Sequence, residues 1–318
     1  MLTIFSCPKP FRGHIKTIQT NAIKSWTLLE PKPEVILIGD DEGTADICCE
    51  LGIRHIPEVG RNEYGTPLLN SLFEIVQSAA KYDLFCYVNA DIILLRDFIQ
   101  AVRQTVEHFG GNAFLISGRR WNLDVNTDID FSRPDWDLRL RSDVLSKGAL
   151  DRHGAMDYFV FPRGLYSNMP ALILGRCSWD NWMLHRALSQ RLPLVDASEK
   201  VIIVHQRHDY AHTPFNKKSL NSVISGPEVR INKSLCRGGS RFITLLDATA
   251  VFSNAGFRRP GLLRFCHRYA LRMKMYTWYV LAEVLYPYSW PLIFLIRGLK
   301  RVVELSAVPG KFRLRRCR

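Results

Sequence analysis

Asn89 and Asp91 stand two residues apart where the apolar run Leu84–Val88 ends, and a second apolar run, Ile92–Leu95, follows at once. Along a strand, side chains at i and i+2 point to one face, so both oxygen-bearing groups can reach one cleft. A hard cation such as Mg²⁺ or Mn²⁺ needs few protein carboxylates when a diphosphate supplies the remaining oxygens. The pair alone also suits an ordinary strand-end turn that satisfies backbone groups. Histidines crowd a second segment, at 205, 208 and 212, and imidazole suits Mn²⁺ or Zn²⁺. The segment lacks the H-E-x-x-H spacing of a zinc hydrolase, and a polar loop with surface histidines is the plain alternative. A third segment, Gly175 to Trp182, sets Asp180 between Trp179 and Trp182. An acid in a partly apolar wall has a raised pKa and can act as a general base, while the indoles offer stacking faces for a sugar. The competing reading is a helix cap with two core tryptophans.

These residues need a frame. Leu2–Cys7, Glu34–Gly39, Arg54–Pro57 and Leu84–Asn89 read as strands, alternating with helical spacing over 15–29, 45–51 and 66–80, the last with Thr66 as N-cap and Pro67 following. Such alternation predicts βαβ units and a mostly parallel sheet flanked by helices, which binds ligands at the carboxyl ends of its strands. Asp40 and Asp91 sit at such ends. Arg61-Asn62 with Gly65-Thr66-Pro67 precedes a helix N-terminus, suited to a phosphate or ribose and equally to a capped surface helix. Further on, a helix over 98–108, strands over 113–117, 157–161 and 201–204, and a helix over 179–188 are expected, with polar stretches over 119–141 and 213–240. Asp124-x-Asn126-x-Asp128-x-Asp130 mimics a calcium loop, but Ile129 and Asp135 stand where Gly and Glu are needed, so it reads as a solvated loop.

Over about residues 1–212 the arrangement resembles the type A glycosyltransferase fold, and is most similar to uncharacterised family-2-like members. The resemblance implies an α/β, Rossmann-like fold and a nucleotide-diphosphate sugar donor. Leu2–Pro10 looks like the first strand and nucleotide loop, which assigns Pro8 to the donor, and Gly39-Asp40-Asp41 looks like the second-strand acid that contacts base or ribose. Asn89-Ala90-Asp91 occupies the D-x-D place with Asn for the first Asp. The resemblance therefore implies Asp91 as metal ligand, Asn89 on the donor side, and Mn²⁺ or Mg²⁺ as cofactor; Arg61 joins the donor side through its place before a helix N-terminus. It further implies His205, with His208 second, on the metal or diphosphate, and Asp180 as the base of an inverting reaction, while the stacking faces of Trp179 and Trp182 make them the expected acceptor platform. A nucleotidyltransferase of related fold would need a Gly-rich first loop, and Cys7 to Gly13 has one glycine. A non-catalytic membrane- or polysaccharide-binding protein on the same fold is the alternative outside enzymes.

The 318 residues carry +13 at pH 7 with 47% apolar and 23% charged residues, which rules out a disordered, collagen-like or polytopic membrane chain. The charge is localised: from Arg258 onward there are 14 Lys/Arg against Glu283 and Glu304, while the body upstream is near neutral. This divides the chain into a catalytic domain, 1–256, and a basic, aromatic-rich helical tail, 257–318. Tyr276 to Ile296 approaches the length of a spanning helix, but bases flank both ends, and Trp278, Tyr279, Tyr286 and Trp290 suit a headgroup layer. A peripheral enzyme on the anionic cytoplasmic face of a membrane, acting on a glycan or lipid-linked acceptor, is expected; the alternative is a helical pair packed on the core. Nucleic acid is not an expected partner, because no recognised binding motif is present. The eight cysteines include no C-x-x-C pair and no secretory signal opens the chain, so buried free thiols in a reducing compartment are expected.

Overall fold

The computed structural model describes residues 1–208, 226–236, 240–262, 264–266 and 269. Its first half follows the expected alternation: β1 (Leu2–Ser6), α1 (Gly13–Thr27), β2 (Glu34–Ile38), α2 (Thr44–Leu51), β3 (Arg54–Ile56), α3 (Leu69–Ala79) and β4 (Leu84–Val88). These longer strands are mostly apolar because both faces are covered, and the polar Thr3 and Ser6 of β1 are buried with hydrogen bonds to Glu34 and to the Val88 carbonyl. Leu2 and Ile4, Val35 and Leu37, and Cys86 and Val88 face one layer with Trp26 of α1 and Ile47 of α2. Phe5, Ile36, Ile38, Phe85 and Tyr87 face the other, against Phe73 of α3. Period-two alternation thus builds two cores from one sheet.

After β4 come β5 (Ile92–Leu94), α4 (Asp97–Phe109), β6 (Leu115–Ser117), β7 (Trp121–Leu123), α5 (Trp136–Lys147), β8 (Ala149–Leu150), β9 (Tyr158–Pro162) and α6 (Trp179–Ser189). The remainder comprises β10 (Leu194–Glu199), β11 (Ile203–Gln206), α7 (Pro227–Leu235), β12 (Ala250–Ser253) and β13 (Gly256–Arg258). The large sheet has the order β13-β12-β10-β6-β9-β4-β1-β2-β3, and a small one the order β5-β11-β7-β8. The large sheet is parallel except where β9 runs antiparallel between β4 and β6 and where β13 folds back on β12. The mostly parallel α/β class is therefore observed. Helix α5 covers the small sheet through Trp136, Leu140 and Val144.

Four expectations change. Helix α3 begins at Leu69, not at the Thr66 cap, because Pro67 and Leu68 are drawn into bridges with Arg61 and Ile173 and the Thr66 N–H donates to Asn62 Oδ1. The stretch 119–141 holds β7 and the start of α5. Of the polar loop expected over 213–240, residues 213–225 and 237–239 lie outside the described residues, as does His212 before it, while α7 is a helix whose Asn232 side chain bonds both backbone groups of Ile173. The boundary expected after 256 falls inside β13: one compact unit is Met1–Gly261, the other Leu262–Arg318. Phe257 of β13 stacks on Phe252 at 4.1 Å and on His108 at 3.9 Å. Nearly all of the tail, with the aromatics expected to suit a headgroup layer, lies outside the described residues, and no helix among those described is long and apolar enough to cross a membrane. Seven cysteines among the described residues are free thiols; burial pushes Cys7 up to about 12 and Cys48 up to about 11, which keeps them unreactive.

Candidate active site

The chain leaves the large sheet for the small one at Asn89-Ala90-Asp91. The Ile92 N–H donates to the Asn89 carbonyl at 3.1 Å, so this is a turn, and the expected sharing of one strand face does not hold. Asn89 faces inward: Nδ2 donates to Asp157 Oδ1 at 2.7 Å, and Oδ1 accepts from the Tyr87 hydroxyl at 3.0 Å. Asp91 faces β11. Its Oδ2 lies 3.0 Å from His208 Nε2 and 3.8 Å from His205 Nε2, while its Oδ1 is buried with no hydrogen-bond partner among the described residues. Strand pairing fixes this: His205 lies opposite Ile92 in the antiparallel β5–β11 ladder and beside Asn122 in the parallel β11–β7 ladder.

One carboxylate oxygen and two imidazole nitrogens thus lie within 4.8 Å of one another. The donor set fits a divalent cation, and the orphaned Asp91 oxygen is an atom such an ion would satisfy. Burial alone would raise the Asp91 pKa, but the hydrogen bond from His208 and the positive field of His205, Lys9 and His208 pull it well below the carboxylate range. Burial lowers the His205 pKa, which favours the neutral imidazole that a ligand must present. Asp91, His205 and His208, expected from sequence, are brought together.

Above this floor, the loop after β1 carries Pro8, buried, and Lys9, whose backbone N–H and carbonyl are both held by the Gln19 side chain at 2.7 and 2.8 Å. Burial lowers the Lys9 pKa, against the pull of Asp91. Gly39 takes φ +112°, and a Cβ there would lie 3.3 Å from Cys7 Sγ, so the ends of β1 and β2 approach closely. Beyond it Arg61 Nη2 bonds Asp40 at 2.7 Å and Asp41 at 2.8 Å, while Nη1 holds the Gly65 carbonyl. Asp40 and Arg61 line an open cavity of about 550 Å³ with Pro57, Val59 and Gly60.

Asp180 is the second residue of α6, and its Oδ1 accepts from the Asn181 N–H at 2.9 Å. Burial, opposed by that bond and reinforced by the Asp157 carboxylate, pushes it up to about 6. Its flanking tryptophans do not form the expected platform. Trp179 is 5% exposed, edge-on to Tyr87 at 5.4 Å and Phe159 at 5.5 Å. It is a core residue, because the i, i+3, i+4 stripe of Trp179, Trp182 and Met183 faces the sheet and Asp180 lies about 100° round the helix. Trp182, on that stripe, is half-buried against Tyr166 at 6.1 Å.

Sequence reasoning missed the polar group beneath the floor. Asp157 Oδ2 accepts from Arg120 Nη1 at 2.9 Å, Arg120 Nε donates to Asp151 at 3.1 Å, and Asn122 Nδ2 donates to the same Asp151 oxygen at 3.0 Å. One signal was available: Asp157 immediately precedes an apolar strand, and in an antiparallel strand that end lies beside the carboxyl end of its neighbour β4.

No protein-family model matches the sequence, and no curated protein matches it. Solved structures of similar shape exist. The chain is similar to residues 1–349 of Staphylococcus aureus TarS in complex with UDP-GlcNAc, with TM-score 0.46, 10% identity, and coverage of 78% of this chain and 67% of that one. A UDP complex of the same TarS fragment aligns over only 38% of this chain and 36% of that chain, with TM-score 0.31 and 11% identity. Mycobacterium tuberculosis glucosyl-3-phosphoglycerate synthase aligns with TM-score 0.41 and 13% identity over 79% of this chain and 83% of that one.

Proposed function

We propose that the chain is a glycosyltransferase that takes its sugar from a nucleotide-diphosphate donor and passes it, with inversion, to a hydroxyl of a glycan or lipid-linked acceptor. The observation that carries this reading is the Asp91–His205–His208 cluster at the carboxyl edge of β4, with a carboxyl of raised pKa, Asp180, in the field of neighbouring Asp157. Asp91, His205 and His208 would hold the cation, and two imidazoles favour Mn²⁺ over Mg²⁺, which prefers oxygen. When bound, that ion supplies positive charge against a diphosphate leaving group. The rest falls to the protein. Asp40 and Arg61 receive the nucleoside in the cavity they line, and Lys9 extends the positive field from the β1 loop. With its Oδ1 held by the Asn181 N–H, Asp180 takes the acceptor proton on Oδ2. A carboxyl with pKa about 6 is largely ionised at pH 7, yet a stronger base than an ordinary aspartate. The tail beyond Gly261 would hold the enzyme on the anionic cytoplasmic face of a membrane, where a lipid-linked acceptor lies.

Calorimetry of the full chain against UDP-, GDP- and dTDP-sugars, with and without Mn²⁺, tests the reading. Mn²⁺-dependent binding within one nucleotide series is expected, with the dependence abolished in Asp91→Ala. No binding in any series overturns it.

A further inference from the structure

The orientation of His205 can be deduced from its neighbours. An ionised carboxylate only accepts hydrogen bonds. Asp151 Oδ1 accepts from the Arg152 N–H at 2.8 Å, and its Oδ2 accepts from Arg120 Nε at 3.1 Å and faces Asn122 Nδ2 at 3.0 Å. The Asn122 amide can meet that carboxylate only through its NH₂ group, which turns Oδ1 the other way. That oxygen lies 2.9 Å from His205 Nδ1, and a carbonyl oxygen also only accepts. His205 therefore carries its proton on Nδ1, and its Nε2 lone pair is directed at the cluster. The 3.8 Å between Nε2 and Asp91 Oδ2 is too long for a hydrogen bond. It is less than twice a metal–ligand bond of about 2.1 Å.

We infer that Asn122 is the positioning residue that presents His205 Nε2 to the cation, an inference that rests on reading Asp91, His205 and His208 as the cation site. Asn122 does not touch the ion; it acts through His205, as groups behind metal-bound histidines do. Its own orientation is set from further back. Asp151 fixes the amide, Arg120 ties Asp151 to Asp157, and Asp157 holds Asn89. Since one residue separates Asn89 from Asp91, the path from His205 through Asn122, Asp151, Arg120 and Asp157 closes on the turn that carries Asp91. The two ends of the cluster are held by one ring of hydrogen bonds.

Two measurements on the full chain test this. In the metal-free protein, ¹⁵N spectra of labelled histidine, with His205 assigned by its loss in His205→Gln, are expected to report the Nδ1–H tautomer. An Nε2–H tautomer overturns the inference whatever the metal does. Mn²⁺ titrated calorimetrically without nucleotide is expected to bind about 10- to 100-fold more weakly to Asn122→Leu than to the unaltered chain. In Asn122→Leu the same ¹⁵N spectra are expected to show His205 losing its Nδ1–H preference, which a substitution acting only on the fold would leave in place. Equal Mn²⁺ binding by Asn122→Leu, or an unchanged Nδ1–H tautomer in it, overturns the positioning role. If the unaltered chain binds no Mn²⁺ although His205 is Nδ1-protonated, the cation site fails rather than the orientation.

Discussion

Replacing Asp180 by Asn separates the stability of the fold from its chemistry. In the unfolded chain this carboxyl ionises near 3.8, and in the fold near 6. Ionisation is therefore harder in the fold by about 3 kcal/mol, at 1.36 kcal/mol for each pKa unit. The sign follows from proton uptake: between pH 3.8 and 6 the folded chain holds the proton that the unfolded chain has released, so stability from this group falls as pH rises. Above pH 6 the full cost stands. Asn cannot ionise and still accepts the Asn181 N–H. Asp180→Asn is expected to melt about 6 °C higher than the unaltered chain at pH 8, at roughly 2 °C per kcal/mol for a domain of this size. The gap should close as pH falls through 6 and vanish near pH 4. Turnover should be lost while donor binding persists, and the unaltered enzyme's rate should rise with pH through about 6, where the base becomes ionised. Melting curves at unit pH steps, paired with donor calorimetry, read all of this. A variant less stable at pH 8, or a gap that ignores pH, refutes the placement of Asp180 in an apolar wall.

Asn89→Asp sets a carboxylate where an amide now donates to Asp157 at 2.7 Å; urea denaturation at pH 8 should register a loss of about 1–3 kcal/mol. Undiminished stability at pH 8 would mean Asn89 does not face Asp157. Trp179→Ala should cost about 3–5 kcal/mol as a core truncation, whereas a fully stable variant with only acceptor affinity reduced would restore the platform reading. A chain ending at Gly261 should fold, bind donor and no longer sediment with anionic vesicles at low salt, each tail base near the surface contributing about 1 kcal/mol. A chain ending at Gly256 should melt lower, because it loses Phe257 from between His108 and Phe252.

What could be read in advance were elements whose pattern is local. β1, β2 and β4 are predominantly apolar because both faces are covered, and runs of that kind need no partner to be recognised. Asp91 was nominated by its place at a strand end together with the resemblance, and His205 and His208 by the density of histidines together with the resemblance; that His205 lies inside a strand was not expected, because the strand was read to end at residue 204 and β11 runs to Gln206. Helix α5 was missed because only Trp136, Leu140 and Val144 are buried, a stripe three residues deep among charges. Strand β10 was missed because Asp196 and Ser198 interrupt its apolar pattern. Trp179 was misread because adjacency in sequence says nothing of helix face. Asp157, Arg120, Asp151 and Asn122 meet through pairings across the small sheet and through an antiparallel insertion, and no spacing in the chain encodes that geometry.

The place of β9 in the large sheet sets an order of assembly. The strands on one side of it, β1 to β4, come from the first 88 residues, and those on the other side come from residue 115 onward. Before Tyr158–Pro162 slots between β4 and β6, no ladder joins the two halves. A nascent chain that has emerged only as far as α5 can pair four strands of the large sheet and must wait for the bridge, a non-local closure of the slow kind. Asp157 enters with that strand, its carbonyl accepting from the Asn89 N–H as its carboxylate meets Asn89 Nδ2. Sheet closure and completion of the hydrogen-bond ring behind the Asp91–His205–His208 cluster thus depend on the same strand. The same logic makes Gly110-Gly111, an exposed pair with positive φ, a natural place to divide the gene. Two separately translated fragments would acquire the site only on meeting, when the later one lays β9 against β4.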